Sequence, residues 1–140
     1  MPSRDSKTLN DSMPRNVLLV EDDSGVRQFL AAFLESEGLA VTQTWTIRDA
    51  LEQCAGKRFD LLMLDYNISG GEVGWRVAGE VRAHPDLYGS PRIIAMSGTV
   101  CFSMLEALGL PADCLDLFLQ KPFGGKDLKK HLASLGILAG

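Results

Sequence analysis

The sequence has no long apolar segment and little cysteine, and each absence excludes a class of protein. No apolar run approaches the roughly 20 residues that a membrane-spanning helix needs. Residues 1–14 contain no apolar stretch that could form the core of a secretion signal. The cysteines Cys54, Cys101 and Cys114 are odd in number and lack CxxC spacing. We therefore expect reduced thiols in a cytoplasmic protein, without a zinc site or a disulfide framework.

The chain also lacks an excess of positive charge. It carries 18 acidic and 14 basic residues, a net charge of −4 at pH 7. Such a balance disfavours direct binding of nucleic acid, and we expect no membrane partner. Its 140 residues suit a single domain with one core. We expect a disordered polar leader over residues 1–14, one domain over residues 15–137, and no output module of ordinary size.

Short apolar segments alternate along the chain with amphipathic helical patterns. The apolar segments lie at Val17–Val20, Ala40–Thr44, Leu61–Leu64, Arg92–Met96 and Leu115–Leu119. The helical patterns lie at Val26–Leu34, Ile47–Cys54, Val73–Val81, Cys101–Leu108 and Leu128–Leu135. Apolar strands that are each followed by a helix predict a parallel sheet covered on both faces. The sequence therefore predicts an α/β fold, a three-layer open sandwich of five strands and five helices, with the more polar second strand at an edge.

Polar side chains follow four of the five predicted strands. Asp22 and Asp23 follow the first strand, Asp65 the third, Ser97 the fourth and Lys121 the fifth. The carboxyl ends of parallel strands meet at one edge of the sheet, where α/β proteins place their sites. If the first and third strands are neighbours, three carboxylates converge there and need a cation to offset their repulsion. Oxygen ligands without a cluster of His or Cys suit Mg²⁺.

The same edge has the groups that a phosphoryl-transfer site needs. A divalent metal, the Lys121 ammonium and the Ser97 hydroxyl together would hold a phosphoryl group. Asp65 is the candidate nucleophile, which would form an acyl phosphate. Each residue also has an ordinary structural explanation, and Asp23 or Ser24 is suited to cap the first helix.

Four motifs resemble the receiver domain of two-component response regulators. They are VLLVEDD, LLMLDYN, IIAMSG and LFLQKPF, at the ends of the first, third, fourth and fifth strands. The resemblance extends from about Asn16 to Leu135. It implies the flavodoxin-like receiver fold with strand order 2-1-3-4-5. It also implies a phosphoacceptor signalling module rather than an enzyme, with only its own phosphorylation and slow autodephosphorylation.

The resemblance assigns roles to individual residues. Asp65 would take a phosphoryl group from a phosphohistidine of a sensor histidine kinase or a histidine phosphotransferase. Asp23 would bind Mg²⁺ directly, Asp22 would act through water, and the main-chain carbonyl of Asn67 would complete the metal site with Asp65. Ser97 would supply the switch hydroxyl.

Two further roles concern the fifth strand and the surface beside it. Lys121 would contact the phosphoryl group and precede a proline that is often cis, and Phe118 would be the switch aromatic. Phosphorylation would change the surface of the fourth helix, fifth strand and fifth helix, where an unidentified downstream protein binds. Apart from the resemblance, a homodimer through the last helices stays open, although apolar stripes at helical spacing are first of all core.

This chain departs from the receiver pattern in three places. Ser69 stands where a proline is usual, four residues after the phosphoacceptor. The glycine that opens the third helix comes one residue late, as Gly74, after the pair Gly70 and Gly71. Phe118 lacks the hydroxyl of the commoner tyrosine. We expect an unusual shape for the loop over the site.

Two other functions stay open at this point. A pseudo-receiver would bind partners without being phosphorylated, although such proteins typically lack one of the acids or the lysine, all of which are present here. A Mg²⁺-dependent aspartyl phosphatase of the haloacid dehalogenase type would need DxD after the first strand, where this chain reads EDDS. The domain would act either alone or as part of a larger protein such as a hybrid kinase.

Overall fold

A single five-stranded sheet organises the computed structural model, which describes residues 15–68, 72–98 and 112–139. Its strands are β1 (Asn16–Val20), β2 (Ala40–Thr44), β3 (Leu61–Asp65), β4 (Arg92–Ser97) and β5 (Leu117–Gln120). Their order in the sheet is β2-β1-β3-β4-β5, and every neighbouring pair is parallel. The predicted order and the edge position of the second strand are confirmed.

Helices follow the strands, and side chains cap the amino-terminal ends of the first two. They are α1 (Ser24–Ser36), α2 (Ile47–Gly56), α3 (Trp75–Ala83), a one-turn helix (Pro85–Tyr88), a 3₁₀ turn (Ala112–Cys114) and the C-terminal helix (Gly125–Ser134). The Asp23 carboxylate accepts a hydrogen bond from the backbone N–H of Val26 at 3.0 Å, and so caps α1. Gly38 ends the same helix region at a φ of 89°, a left-handed conformation that favours glycine.

Alternate side chains of the buried strands build two apolar layers. Val17 and Leu19 of β1 belong to one layer, while Leu18 and Val20 belong to the other. The first layer packs against α1 and the C-terminal helix, and the second packs against α2 and α3. Since the sheet is covered on both faces, the fold is the predicted three-layer sandwich.

The segment between β3 and α3 differs from the predicted helical pattern. The pattern began at Val73, but this residue lies in a short strand, Glu72–Val73, that pairs antiparallel with Asn67–Ile68. The helix begins at Trp75. A hairpin replaces its first predicted turn because backbone pairing to Asn67–Ile68 competes with helix formation there. The leader over residues 1–14, the residues 69–71 and the helix predicted at Cys101–Leu108 lie outside the described residues.

The two cysteines within the described residues are free thiols. Cys54 is a buried residue of α2, and Cys114 is half-buried. Burial raises the pKa of Cys54 to about 11, so its thiol stays protonated at neutral pH. Within the described ranges, no helix is both long and apolar enough to span a bilayer.

Candidate functional site

The register of the sheet brings two carboxylates side by side at the carboxyl ends of the central strands. Val20 of β1 aligns with Leu64 of β3, so the residues that follow them, Glu21 and Asp65, are neighbours. Both are buried, with exposures of 1% and 6%. Two neighbouring buried carboxylates repel each other, so a positively charged partner is needed to stabilise them.

Lys121 is that partner. Its Nζ lies 2.7 Å from Oε1 of Glu21 and 3.1 Å from Oδ1 of Asp65. The lysine follows β5, and its backbone N–H donates a hydrogen bond to the carbonyl of Ser97 at 2.7 Å. The Lys121–Pro122 peptide is cis. Because Nζ contacts both carboxylates, the ammonium lies between the ends of β1 and β3 rather than in solvent.

Asp22 joins these two carboxylates in a cluster that is suited to a divalent cation. One carboxylate oxygen from each of Glu21, Asp22 and Asp65 lies within 4.8 Å of the others. The donor set is entirely oxygen, which is the set that Mg²⁺ prefers. Asn67, the predicted carbonyl ligand, begins the hairpin two residues after Asp65. The residues present therefore fit a magnesium site.

The acidic pair beside Asp65 lies one residue earlier than predicted and consists of Glu21 and Asp22. The prediction used Asp22 and Asp23, but the Asp23 side chain is exposed and caps α1 through Val26. Its backbone N–H donates to Oε2 of Glu21 at 3.2 Å, so Asp23 lies outside the acidic cluster. Glu21, which the prediction passed over, takes the place beside Asp65. Its position directly after the apolar run Val17–Val20 was the sequence feature that could have identified it.

The environment of Asp65 changes its protonation strongly in the absence of a cation. Burial, followed by the negative charge of Glu21, raises the pKa of Asp65 from 3.8 to about 7. The charge and hydrogen bond of Lys121 act in the opposite direction but do not cancel those effects. Burial alone lowers the pKa of Lys121, but its hydrogen bond to Glu21 and the charge of Asp65 outweigh burial and raise it. Lys121 therefore stays charged at neutral pH.

The predicted switch residues lie on β4 and β5, next to this cluster. Ser97 ends β4 and is 1% exposed. Phe118 of β5 is half-buried, and its ring meets that of Tyr66 edge-on, with centroids 6.4 Å apart and planes at 77°. Tyr66 directly follows Asp65 and was not singled out from the sequence. Its contact links the segment after β3 to the predicted switch residue on β5.

The protein family of the chain follows from its similarity to known proteins. The family model described as the response regulator receiver domain matches residues 17–133, most of the chain. The chain is a response regulator receiver domain. Its relatives include the response regulator receiver protein CpdR of Brucella abortus, with 30% identity over 128 residues that cover 89% of this chain and 99% of that protein.

Other relatives of this receiver domain are longer. The KDP operon transcriptional regulatory protein KdpE of Escherichia coli is 31% identical over 117 residues, which are 84% of this chain and 49% of that protein. The chain therefore spans about half the length of this relative, and the same holds for the swarming motility regulation protein RssB of Serratia marcescens.

Solved receiver domains have the same fold. The receiver domain of the sensor histidine kinase PA1611 from Pseudomonas aeruginosa, which has magnesium in its active-site cleft, superposes with a TM-score of 0.75 and 25% identity. The match covers 88% of this chain and 98% of that one. The response regulator TrrA of Thermotoga maritima, in complex with Mg²⁺ and BeF, has a TM-score of 0.73 and 25% identity, covering 86% and 98% of the two chains.

Proposed function

We propose that this receiver domain accepts a phosphoryl group on Asp65, in the presence of Mg²⁺, from a phosphohistidine of a sensor histidine kinase or a histidine phosphotransferase. The observation that carries the proposal is the pairing of Lys121 with both Glu21 and Asp65 beside Asp22. We place the domain in the cytoplasm, and we propose that it turns over no substrate besides its own acyl phosphate.

The proposed transfer follows from the position of the carboxylate. One Oδ of Asp65 attacks the phosphorus, a P–O bond forms, and the P–N bond to the donor imidazole breaks. The departing imidazole nitrogen keeps the electron pair of the P–N bond and takes a proton. Lys121, now 3.1 Å from Asp65, would follow the negative charge onto a phosphoryl oxygen, and the Ser97 hydroxyl would hold another.

The metal completes the charge balance of this site. Glu21, Asp22 and Asp65, with the main-chain carbonyl of Asn67, would hold Mg²⁺. When bound, the ion would offset the charge on the phosphoryl oxygens. Without such a cation, burial and Glu21 keep Asp65 largely protonated near pH 6, a form that is a poor nucleophile.

An intact-mass spectrum after incubation with acetyl phosphate tests this proposal. We expect a gain of one phosphoryl group in the wild type, dependent on Mg²⁺, and none in Asp65→Asn. The Asp23→Asn variant is the matched control, because Asp23 caps α1 outside the acidic cluster, and it should still gain the group.

Other outcomes would point to the competing functions. A folded wild type that binds Mg²⁺ and gains no phosphoryl group would favour a pseudo-receiver. Sustained release of phosphate from a generic phosphate ester, many times per protein molecule, would favour a phosphatase.

A protein donor is supported by an apolar groove at the rim of the site. The groove has a volume of about 350 Å³ and adjoins Lys121. Its apolar lining comes from α1 and from the segment after β5, namely Val26, Phe29, Leu30, Pro122 and Phe123. Phe29 is 62% exposed, although it is a large apolar side chain. Exposed apolar surface of this kind beside a charged site is typical of a protein contact.

Comparing a small donor with a protein donor tests the role of this groove. The protein donor is the phosphorylated histidine kinase that transfers fastest to the wild type. Phe29→Ser should slow transfer from this kinase about tenfold, as expected for loss of an aromatic contact. The acetyl phosphate rate should be unchanged. Leu87→Ser removes another exposed apolar side chain, 49% exposed, on the one-turn helix and should slow transfer from neither donor. Equal slowing with both donors would contradict the proposal.

The proposed output is a change at β5 and its neighbours. Ser97 would move toward the acyl phosphate, and Phe118 would swing inward, away from its edge-on contact with Tyr66. The surface of the predicted fourth helix, β5 and the C-terminal helix would change with it, so that a downstream protein binds one form better than the other.

A further inference from the structure

Arg27 makes three contacts that join the acidic segment to the edge strand. Arg27 is the fourth residue of α1, at the end of its first turn, and is half-buried. Its NH1 donates a hydrogen bond to the main-chain carbonyl of Glu21 at 3.0 Å, and its Nε donates to Oε1 of Gln43 at 3.3 Å. Its guanidinium carbon lies 4.5 Å from the centre of the Trp45 ring. The contacts use the planar fork and the flat face of the arginine together.

The carbonyl that Arg27 holds belongs to the segment that supplies two of the three clustered carboxylates. Glu21 also donates its backbone N–H to the carbonyl of Thr44 at 3.1 Å, and its carboxylate accepts from the N–H of Asp23. Both backbone polar groups of Glu21 are therefore fixed. The orientation of the peptide between Glu21 and Asp22 depends on the Arg27 hydrogen bond, since the pairing of β1 with both neighbouring strands ends at Val20.

We propose that Arg27 is a positioning residue that sets the affinity of the acidic cluster for a divalent cation. Trp45 would act through Arg27, by stacking its ring against the guanidinium and so fixing its orientation. This inference rests on the proposed Mg²⁺ site. Arg27 would contact neither the cation nor the phosphoryl group. It would instead hold the Glu21–Asp22 peptide so that the Asp22 carboxylate stays near Asp65 and the cation meets a preformed set of ligands.

Mg²⁺ binding by calorimetry, without any phosphodonor, tests the proposal. Arg27→Met retains the side-chain volume but loses the donors, and its Kd for Mg²⁺ should rise about tenfold. Arg27→Lys retains the positive charge and one donor nitrogen, and it should recover part of that loss. Arg48→Met is the matched control, because Arg48 is an exposed arginine on α2 whose recorded ion pair is with Glu52, and its Kd should equal that of the wild type.

A second measurement separates positioning from chemistry. With acetyl phosphate, the Mg²⁺ concentration that gives half the maximal rate should rise about tenfold in Arg27→Met. The rate at saturating Mg²⁺ should stay close to that of the wild type. A lower rate at saturating Mg²⁺ with an unchanged Kd would overturn the proposal, because Arg27 would then act on the transfer step.

The role of Trp45 is tested by combining substitutions. Trp45→Leu should raise the Kd about two- to fivefold, as expected for loss of a cation–π contact at an exposed site. Adding it to Arg27→Met should have no further effect, because Trp45 would act only through the arginine. Additive effects would overturn that part of the proposal.

Failure of this inference and failure of the proposed function give different results. A wild-type protein that binds no Mg²⁺ would overturn both the metal site and the role of Arg27. A wild type that binds Mg²⁺, with a folded Arg27→Met variant of the same Kd, would overturn only the role of Arg27. Urea unfolding of each variant establishes that it is folded at the start of the titration.

Discussion

The sheet has one edge formed by the amino-terminal ends of its strands and another formed by their carboxyl-terminal ends. These two edges use acidic and basic side chains in opposite ways. At the amino-terminal edge, Asp60 precedes β3 and accepts a hydrogen bond from the backbone N–H of Asn16 at 2.8 Å. Arg15 lies 3.9 Å from its other oxygen. This carboxylate has a backbone donor and a cation of its own.

Asp116, which precedes β5 at the same edge, has more partners for its carboxylate than Asp60 has. Its Oδ2 accepts from the backbone N–H of Ile93 at 2.7 Å and from NH2 of Arg82 at 2.8 Å. Arg92 approaches the other oxygen at 3.3 Å. The remaining donors of Arg82 reach the carbonyls of Pro91 and Cys114. This network fixes the start of β4 and β5 against the end of α3.

At the carboxyl-terminal edge, three carboxylates share one ammonium group. Glu21 and Asp65 both contact Lys121, and Asp22 lies beside them. Negative charge therefore remains in excess there, and burial makes that excess costly. We therefore expect the balanced edge to contribute stability, whereas at the other edge a bound cation would offset the excess of negative charge.

The largest expected effect is at the balanced edge. Asp116→Asn removes the charged acceptor of Arg82, Arg92 and the Ile93 N–H, so two guanidinium groups lose their anion. We expect the free energy of unfolding, measured by urea denaturation, to fall by about 2 to 3 kcal/mol. Phosphorylation by acetyl phosphate should continue in the folded variant.

The same substitution at the other edge is the control for this comparison. Asp65→Asn removes one of two mutually repelling buried carboxylates, while Lys121 retains Glu21. In EDTA at about pH 8 it should raise the free energy of unfolding by about 1 kcal/mol. Destabilisation by both substitutions to the same extent would remove the distinction between the edges.

An intermediate effect is expected from pH. The pKa of Asp65 is about 7 in the folded protein and about 4 in the unfolded chain. Between these values the folded state binds the extra proton, so stability falls as pH rises through this window and levels off above about pH 8. We expect a decrease of about 2 kcal/mol between about pH 5 and pH 8 in EDTA.

The difference between wild type and Asp65→Asn isolates this contribution, because His84 and His131 are present in both proteins. Urea unfolding across the pH range should give a sloping difference curve. A flat curve would show that Asp65 titrates with an ordinary pKa and that the carboxyl-terminal edge is already balanced.

The smallest effect concerns the outer cation of the balanced edge. The Arg92 side chain is 54% exposed, and its contact with Asp116 is long at 3.3 Å. Arg92→Met should therefore cost only about 0.5 kcal/mol in urea unfolding, since solvent screens the pair. Arg82→Met, which loses three hydrogen bonds, should cost several times more. Equal losses would mean that the network is less dominated by Arg82 than its contacts indicate.

Much of the site followed from the positions of polar residues at strand ends. Asp65, Ser97 and Lys121 each follow or close an apolar run, and the parallel sheet brings those ends to one edge. Asp23 could not be separated from Asp22 in this way, because both follow β1 and either suits a cation site. What separates them is that α1 begins at Ser24 and uses Asp23 as its cap.

Apolar periodicity was enough to predict the layers and the strand ends, because it reflects which faces are buried and is a local property of the chain. Which carboxylates meet depends instead on long-range packing. Glu21 lies beside Asp65 because Val20 aligns with Leu64 across two strands that are 44 residues apart. Likewise, Arg27 reaches Trp45 only because α1 packs beside β2. Register and packing depend on the whole core, so no single segment contains them.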